Sequence, residues 1–525
     1  MVIVRMFGIK HQIRWLFSVL YAFSVFSAIV GFASPALANP KVPRIFSDGM
    51  VLQRDKPIRI WGAAEPGELI GVKIADQASV VTADDKGRWG VTLKPIAATG
   101  TPLELVIHGK SEIVIHDVLM GEVWLCAGQS NMGLPYRKID HSESDTNLAM
   151  NSTLRLFKLN NDESAFVPQT DPHVHWTAPT KEEVEKFSGV GLFFGMDLYK
   201  NLNVPIGLIQ SAHGGASLET FVSRKSIDTS NEFKSIGTNS DKSFALYQDS
   251  MDQYKKDLQT WFANGKTGKQ PEEPSPPRMK KASVAFDTLL APVAPFAMRG
   301  AIFYQGEADV YLSALRYRRL FALMVSDWRN QFKDPTLPII FVQLPNYGAK
   351  QKAPEDSDWA IMRETQAICR RIPYTYMVVT LDTIPGADAG MHATQKKEIA
   401  RRLASVALAT QYHISRPYAS PIYDSMQIDG NKVRIKFRYA DKGLISNSLP
   451  ITGFEIAGEN KRWTNADAQV DGDCVIVSSP RVPSPTAVRY GWADNPTVNL
   501  YSADKLPVTP FRTDDWPRLT QKKSY

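Results

Sequence analysis

Cysteine is scarce: Cys126, Cys369 and Cys474 are the only three in 525 residues. An exported domain stapled by disulfides carries an even and denser set, so a disulfide scaffold is excluded. No CxxC pair and no Cys/His spacing marks a metal site. Cys126 lies in an apolar stretch and Cys369 in an apparent helix, so both are expected as buried thiols. Long apolar runs are absent beyond residue 38. The remainder is therefore expected to be soluble, with no membrane partner. Charge of one sign is lacking as well. The formal net charge is +7, but Arg5, Lys10 and Arg14 contribute three of those charges and no acidic residue precedes Asp48, which leaves +4 beyond residue 38. No Lys/Arg cluster with interleaved aromatics is present, which argues against a nucleic-acid partner.

The first 38 residues read as a signal peptide. A basic segment precedes the mostly apolar stretch from Trp15 to Phe32, and Ala36-Leu37-Ala38 supplies small residues at a cleavage site. An uncleaved anchor is the alternative, because the apolar run approaches a bilayer's thickness. Export to the periplasm or the medium is the expected localisation.

From residue 39 to 118, short apolar–polar alternation such as Ile58-Arg59-Ile60-Trp61 is cut by turn residues such as Glu65-Pro66-Gly67. That pattern predicts a small β-sandwich. From 119 to 414, short continuous apolar runs alternate with helical patterns. The runs are Val123 to Cys126, Ile206 to Ile209, Ala301 to Tyr304, Ile339 to Leu344 and Met377 to Leu381. Runs of that kind predict an α/β domain with a buried parallel sheet. An insertion spans about 225–285. Its Phe244, Tyr247, Met251, Tyr254, Leu258 and Trp261 recur every three or four residues, and it ends in Pro271 to Pro277. This predicts an amphipathic helix whose stripe packs on the catalytic domain, followed by a stiff linker. Alternation returns from 415 to 525 and predicts a second β module.

Four strand ends carry the chemistry. Val123 to Cys126 runs into Gly128-Gln129-Ser130-Asn131. A serine there is placed at the carboxyl edge of the sheet, where ligands of open α/β folds bind, or it caps the next helix. The block is not a G-x-S-x-G elbow. Ile209 runs into His213-Gly214-Gly215, whose glycines let backbone N–H groups approach an oxyanion, or simply make a turn. Tyr304 runs into Gln305-Gly306-Glu307-Ala308-Asp309, where Gln305 is a possible oxyanion donor and Glu307 or Asp309 a possible partner for a base. His392, after the last strand, stands where a general base is expected.

These blocks resemble the SGNH/GDSL hydrolase superfamily, and more closely the sialate O-acetylesterase family. Phe46 to Gln53, Gly121 to Met132, Arg299 to Glu307, Ala487 to Ala493 and Pro510 to Trp516 carry the resemblance, which covers practically all of the chain beyond residue 38. It implies an SGNH-type parallel sheet flanked by helices, with Ser130 as nucleophile and His392 as base. It also implies oxyanion donors at the Ser130 and Gly215 backbones and the Gln305 side chain, an acetyl-serine intermediate, an acetylated sugar as substrate, and neither cofactor nor metal. The family places an aspartate three residues before its histidine, where this chain has Ala389. Asp388, four before, and Glu307 are the two candidates for the acid. Acetylated xylan is the alternative substrate, and a non-catalytic carbohydrate-binding protein the alternative class.

Overall fold

Alternate residues of a β-strand face opposite sides of its sheet, and one strand here uses that rule to build both halves of the core. In the computed structural model, which describes residues 39–150, 153–159, 174–277, 280–310, 312, 314–384 and 386–516, the strand Glu112–Gly128 is seventeen residues long. Val123, Leu125 and Ala127 face one apolar cluster, while Trp124 and Cys126 face the other. The leader expected at 1–38 lies outside the described residues.

The second half of this strand lies in the middle of a parallel sheet. Its neighbours are Ile206–Ala212 and Leu154–Lys158 on one side, and Gly300–Tyr304, Ile339–Val342 and Thr375–Val378 on the other. Helices Gly189–Leu202 and Lys397–Gln411 cover one face through Val190, Phe194, Ile399 and Leu403. Helices Ala314–Gln331 and Asp358–Cys369 cover the other through Leu320, Trp328, Trp359 and Met362. The chain is thus an α/β protein with further β modules.

The first half of the same strand pairs antiparallel with Thr99–His108, which in turn pairs with Leu69–Ile74. The expected boundary at 118/119 therefore falls inside a continuous strand, just after Asp117, which takes φ +53° without ending it. At the junction Glu122 is fully buried. It accepts from Gln53 Nε2 at 2.9 Å, Arg54 Nε at 2.5 Å and Arg299 Nε at 2.8 Å. Burial opposes its charge, but hydrogen bonds and charge from Arg299, followed by Arg54 and Gln53, hold the carboxyl below its ordinary value.

The insertion contains a thirty-residue helix, Lys234–Ala263. Its stripe was expected on the catalytic domain, and the structure corrects this. Gly237 is the helix's one buried residue, Ile236 joins the main core, and Phe244 to Trp261 stand half-buried outside it. Period alone says that a helix has an apolar side, but not what the side meets.

Residues from Ile422 onward form antiparallel sheets with a separate core that includes Val433, Phe454, Val475 and Tyr490. The fully buried Arg363 joins this module to the catalytic domain. It donates to the carbonyls of Leu344 (2.8 Å), Pro345 (2.7 Å), Ala493 (2.6 Å) and Asp494 (2.8 Å). The three cysteines are buried and unpaired. Among the described residues no helix is long and apolar enough to cross a membrane, and no three His, Cys, Asp or Glu side chains cluster as a metal would need.

Candidate active site

Gly128 ends the long strand at φ +144°, and a Cβ there would lie 2.2 Å from the Tyr304 carbonyl oxygen. Only glycine permits that approach. It lets the chain turn sharply into the short helix Ser130–Gly133, which opens with Ser130 at the carboxyl edge of the sheet. The Gln129 backbone N–H donates to Tyr304 O at 3.0 Å, and its side-chain Oε1 accepts from Gly306 and Ala308 N–H at 3.4 Å. The serine loop and the Gln305–Glu307 loop are thus one unit.

His392 lies in the exposed loop before helix Lys397–Gln411, and its Nε2 is 2.8 Å from Ser130 Oγ. Partial desolvation of the ring, then the positive charges of Lys396 and Lys138, hold the imidazole below its ordinary pKa. A neutral imidazole at neutral pH can accept the serine proton.

The loop 213–216 lies alongside. His213 N–H donates to Gly128 O at 2.9 Å, and Gly215 takes φ +68° with nothing near its Cα hydrogens. Among the described residues, the N–H groups of Ser130, Gly214 and Gly215 donate to no protein acceptor. Free backbone donors beside a paired serine are what a developing oxyanion needs.

Four further expected site residues, Gln305, Asp309, Asp388 and Glu307, are placed as follows. Gln305 Nε2 donates to Ala216 O at 3.1 Å and Asp309 Oδ2 at 2.5 Å. Both amide hydrogens therefore meet protein acceptors in this structure. Asp309 also accepts from Leu218 N–H at 3.0 Å, bracing the Gly215 loop instead of a histidine. Burial, then the neighbouring Glu219 carboxylate, push its pKa up. Asp388 is exposed in the short strand Asp388–Ala389, which pairs with Gly348–Ala349. Among the described residues no carboxylate hydrogen-bonds the His392 ring.

Glu307 is buried and bonds Asn131 rather than His392: Asn131 Nδ2 donates to Glu307 Oε1 at 2.5 Å and to the Met391 carbonyl at 3.0 Å. Lys396 Nζ donates to Asn131 Oδ1 at 2.7 Å. Burial pushes the Glu307 carboxyl up and the Lys396 ammonium down to about 8, with Glu307 opposing the latter shift. Sequence reasoning gave Asn131 and Lys396 no role. Asn131 had a signal, a second polar residue inside the serine block; Lys396 had none.

A carbohydrate esterase family described as sialic acid-specific acetylesterase matches residues 120–266 and 277–409. The sialate O-acetylesterase of Mus musculus is 23% identical over 510 residues, covering 88% of this chain and 92% of that protein. The Homo sapiens enzyme of the same name is 25% identical over 447 residues, covering 79% and 77%. Among solved structures, a carbohydrate acetylesterase from Xanthomonas citri superposes with TM-score 0.75 at 33% identity, covering 91% of this chain and 100% of that one. The chain belongs to the sialic acid-specific acetylesterase family of carbohydrate esterases.

Proposed function

We propose that this chain hydrolyses O-acetyl esters on sugars through an acetyl-Ser130 intermediate, with O-acetylated sialic acid as its substrate and an exported location carried by residues 1–38. The observation that carries the reading is the 2.8 Å contact between Ser130 Oγ and His392 Nε2 beside free backbone donors. His392 takes the hydroxyl proton as Ser130 Oγ attacks the acetyl carbon, and the Ser130 and Gly215 N–H groups receive the carbonyl's developing charge. Collapse breaks the ester C–O bond, and His392 returns the proton to the departing sugar oxygen. Water, deprotonated by His392, then attacks the acetyl group, releasing acetate and restoring Ser130.

The sugar is taken from the family, and the chemistry from the geometry. Acetate release should fall by at least about 10³-fold in Ser130→Ala, and equal rates would sink the serine assignment. A substrate panel of O-acetylated sialic acid against acetylated xylan oligomers decides the sugar. Faster turnover of xylan oligomers moves the substrate to plant-type polysaccharide.

A further inference from the structure

A lysine is poorly suited to the place where Lys396 sits. It is 1% exposed, and it caps the amino end of helix Lys397–Gln411, where the helix dipole repels a cation. Burial and dipole both oppose its charge, and buried cations persist only where something compensates them. Its compensation comes from Asn131 Oδ1 at 2.7 Å, the Tyr304 ring at 5.2 Å and the nearby Glu307. All three belong to the blocks that surround Ser130.

The three side chains fix each other's chemistry. A lysine only donates, and a carbonyl oxygen only accepts. The Asn131 amide oxygen must therefore face Lys396, and its two hydrogens must face Glu307 and the Met391 carbonyl. One amide thus links the residue after the nucleophile to the residue before the base, while among the described residues no carboxylate bonds the His392 ring. If Lys396 is removed, the buried Asn131 oxygen loses its donor, and the amide keeps only its bonds to Glu307 and the Met391 carbonyl.

Resting on the serine reading above, we propose that Lys396 is a positioning residue for the Ser130–His392 pair: through Asn131 it locks the His392 loop against the nucleophile, in place of the carboxylate that a triad sets behind its histidine. The charged groups around His392 are Lys396 and Lys138, with Glu307 behind Asn131 and Asp388 exposed on the preceding strand. Lys396 therefore acts twice, holding the loop and keeping the imidazole neutral.

The test is Lys396→Met, which keeps the length and the apolar stem. The expected result is a kcat lower by about 10–100-fold with KM changed less than about threefold, the size of a small misplacement of reacting groups. The acid limb of kcat/KM should move to higher pH, because the imidazolium loses a repelling neighbour. That limb reads the lost charge, while the fall in kcat at little-changed KM reads the lost position. Asn131→Ala should lower kcat to the same extent, and the double variant should be no worse than either single one. An unchanged kcat and acid limb in folded Lys396→Met would overturn the inference, as would additive losses. If Lys396→Met does not fold, Asn131→Ala decides: a kcat within about twofold of wild type overturns it. Fluorophosphonate labelling separates the two readings. No labelling of wild-type Ser130 removes the serine mechanism and this inference together; equally fast labelling of wild type and Lys396→Met removes the inference alone.

Discussion

Asn131 has one acceptor and two donors, and each is matched to a partner of the opposite kind. That makes the two acids proposed from the sequence easy to separate. Glu307→Ala strips Asn131 of an acceptor inside the protein, where an unmet hydrogen-bonding group costs about 1–3 kcal/mol. Acetate-release kinetics should show kcat lower by about 10–100-fold. Asp388→Asn touches an exposed side chain with no bond to His392, so kcat should stay within about twofold of wild type. A larger loss at Asp388 than at Glu307 would return the orienting role to Asp388. Ser130 and His392 were legible because each follows a strand end, and an α/β sheet collects its strand ends along one edge. For Gln305 a sequence names a donor without saying that Ala216 and Asp309 lie within its reach. Lys396 was invisible, since a lysine opening an amphipathic helix looks like any solvated one.

At the scale of elements, the site depends on two strands approaching until one residue's Cα nearly touches its neighbour's carbonyl. Gly128→Ala would push Gly300–Tyr304 away from the nucleophile strand. Overpacking costs about 1–3 kcal/mol, and the unfavourable φ a similar amount. The urea midpoint should fall accordingly, and activity should be lost even where the variant remains folded, because Gln129 and the Gln305 loop lose their register. A stable and fully active Gly128→Ala would show that the turn does not set the site. The parallel strands were legible as continuous apolar runs, since both faces of such a strand are covered. The seventeen-residue strand was split into two domains because its alternating half and its continuous half read as different classes. Leu154–Lys158 was missed, being short and carrying Arg155 and Lys158 within it. The stripe on Lys234–Ala263 was seen, but its surroundings depend on where a long insertion folds back.

Across the whole molecule, one apolar cluster runs from Ile45 and Phe46 of the amino-terminal module through Val123 to Trp328 and Phe341 of the catalytic half. Val51–Gln53 also pairs directly with Leu119–Gly121. Deleting residues 39–110 should therefore leave an aggregating product rather than a smaller enzyme, checked by soluble yield and size-exclusion chromatography. A monodisperse, active truncation would show that the two halves are separable. The sequence made the order of modules legible, but not the shared strand that ties the first to the second, nor Arg363, which ties in the last.

Ser130 and His392 are 262 residues apart along the chain. The serine is aimed by strands contributed from both sides of it, and its partner arrives only after the last parallel strand has been laid down. The Ser130–His392 pair is thus absent from any partly synthesised chain. Any activity that rests on this pair doubles as a record that the assembly has closed.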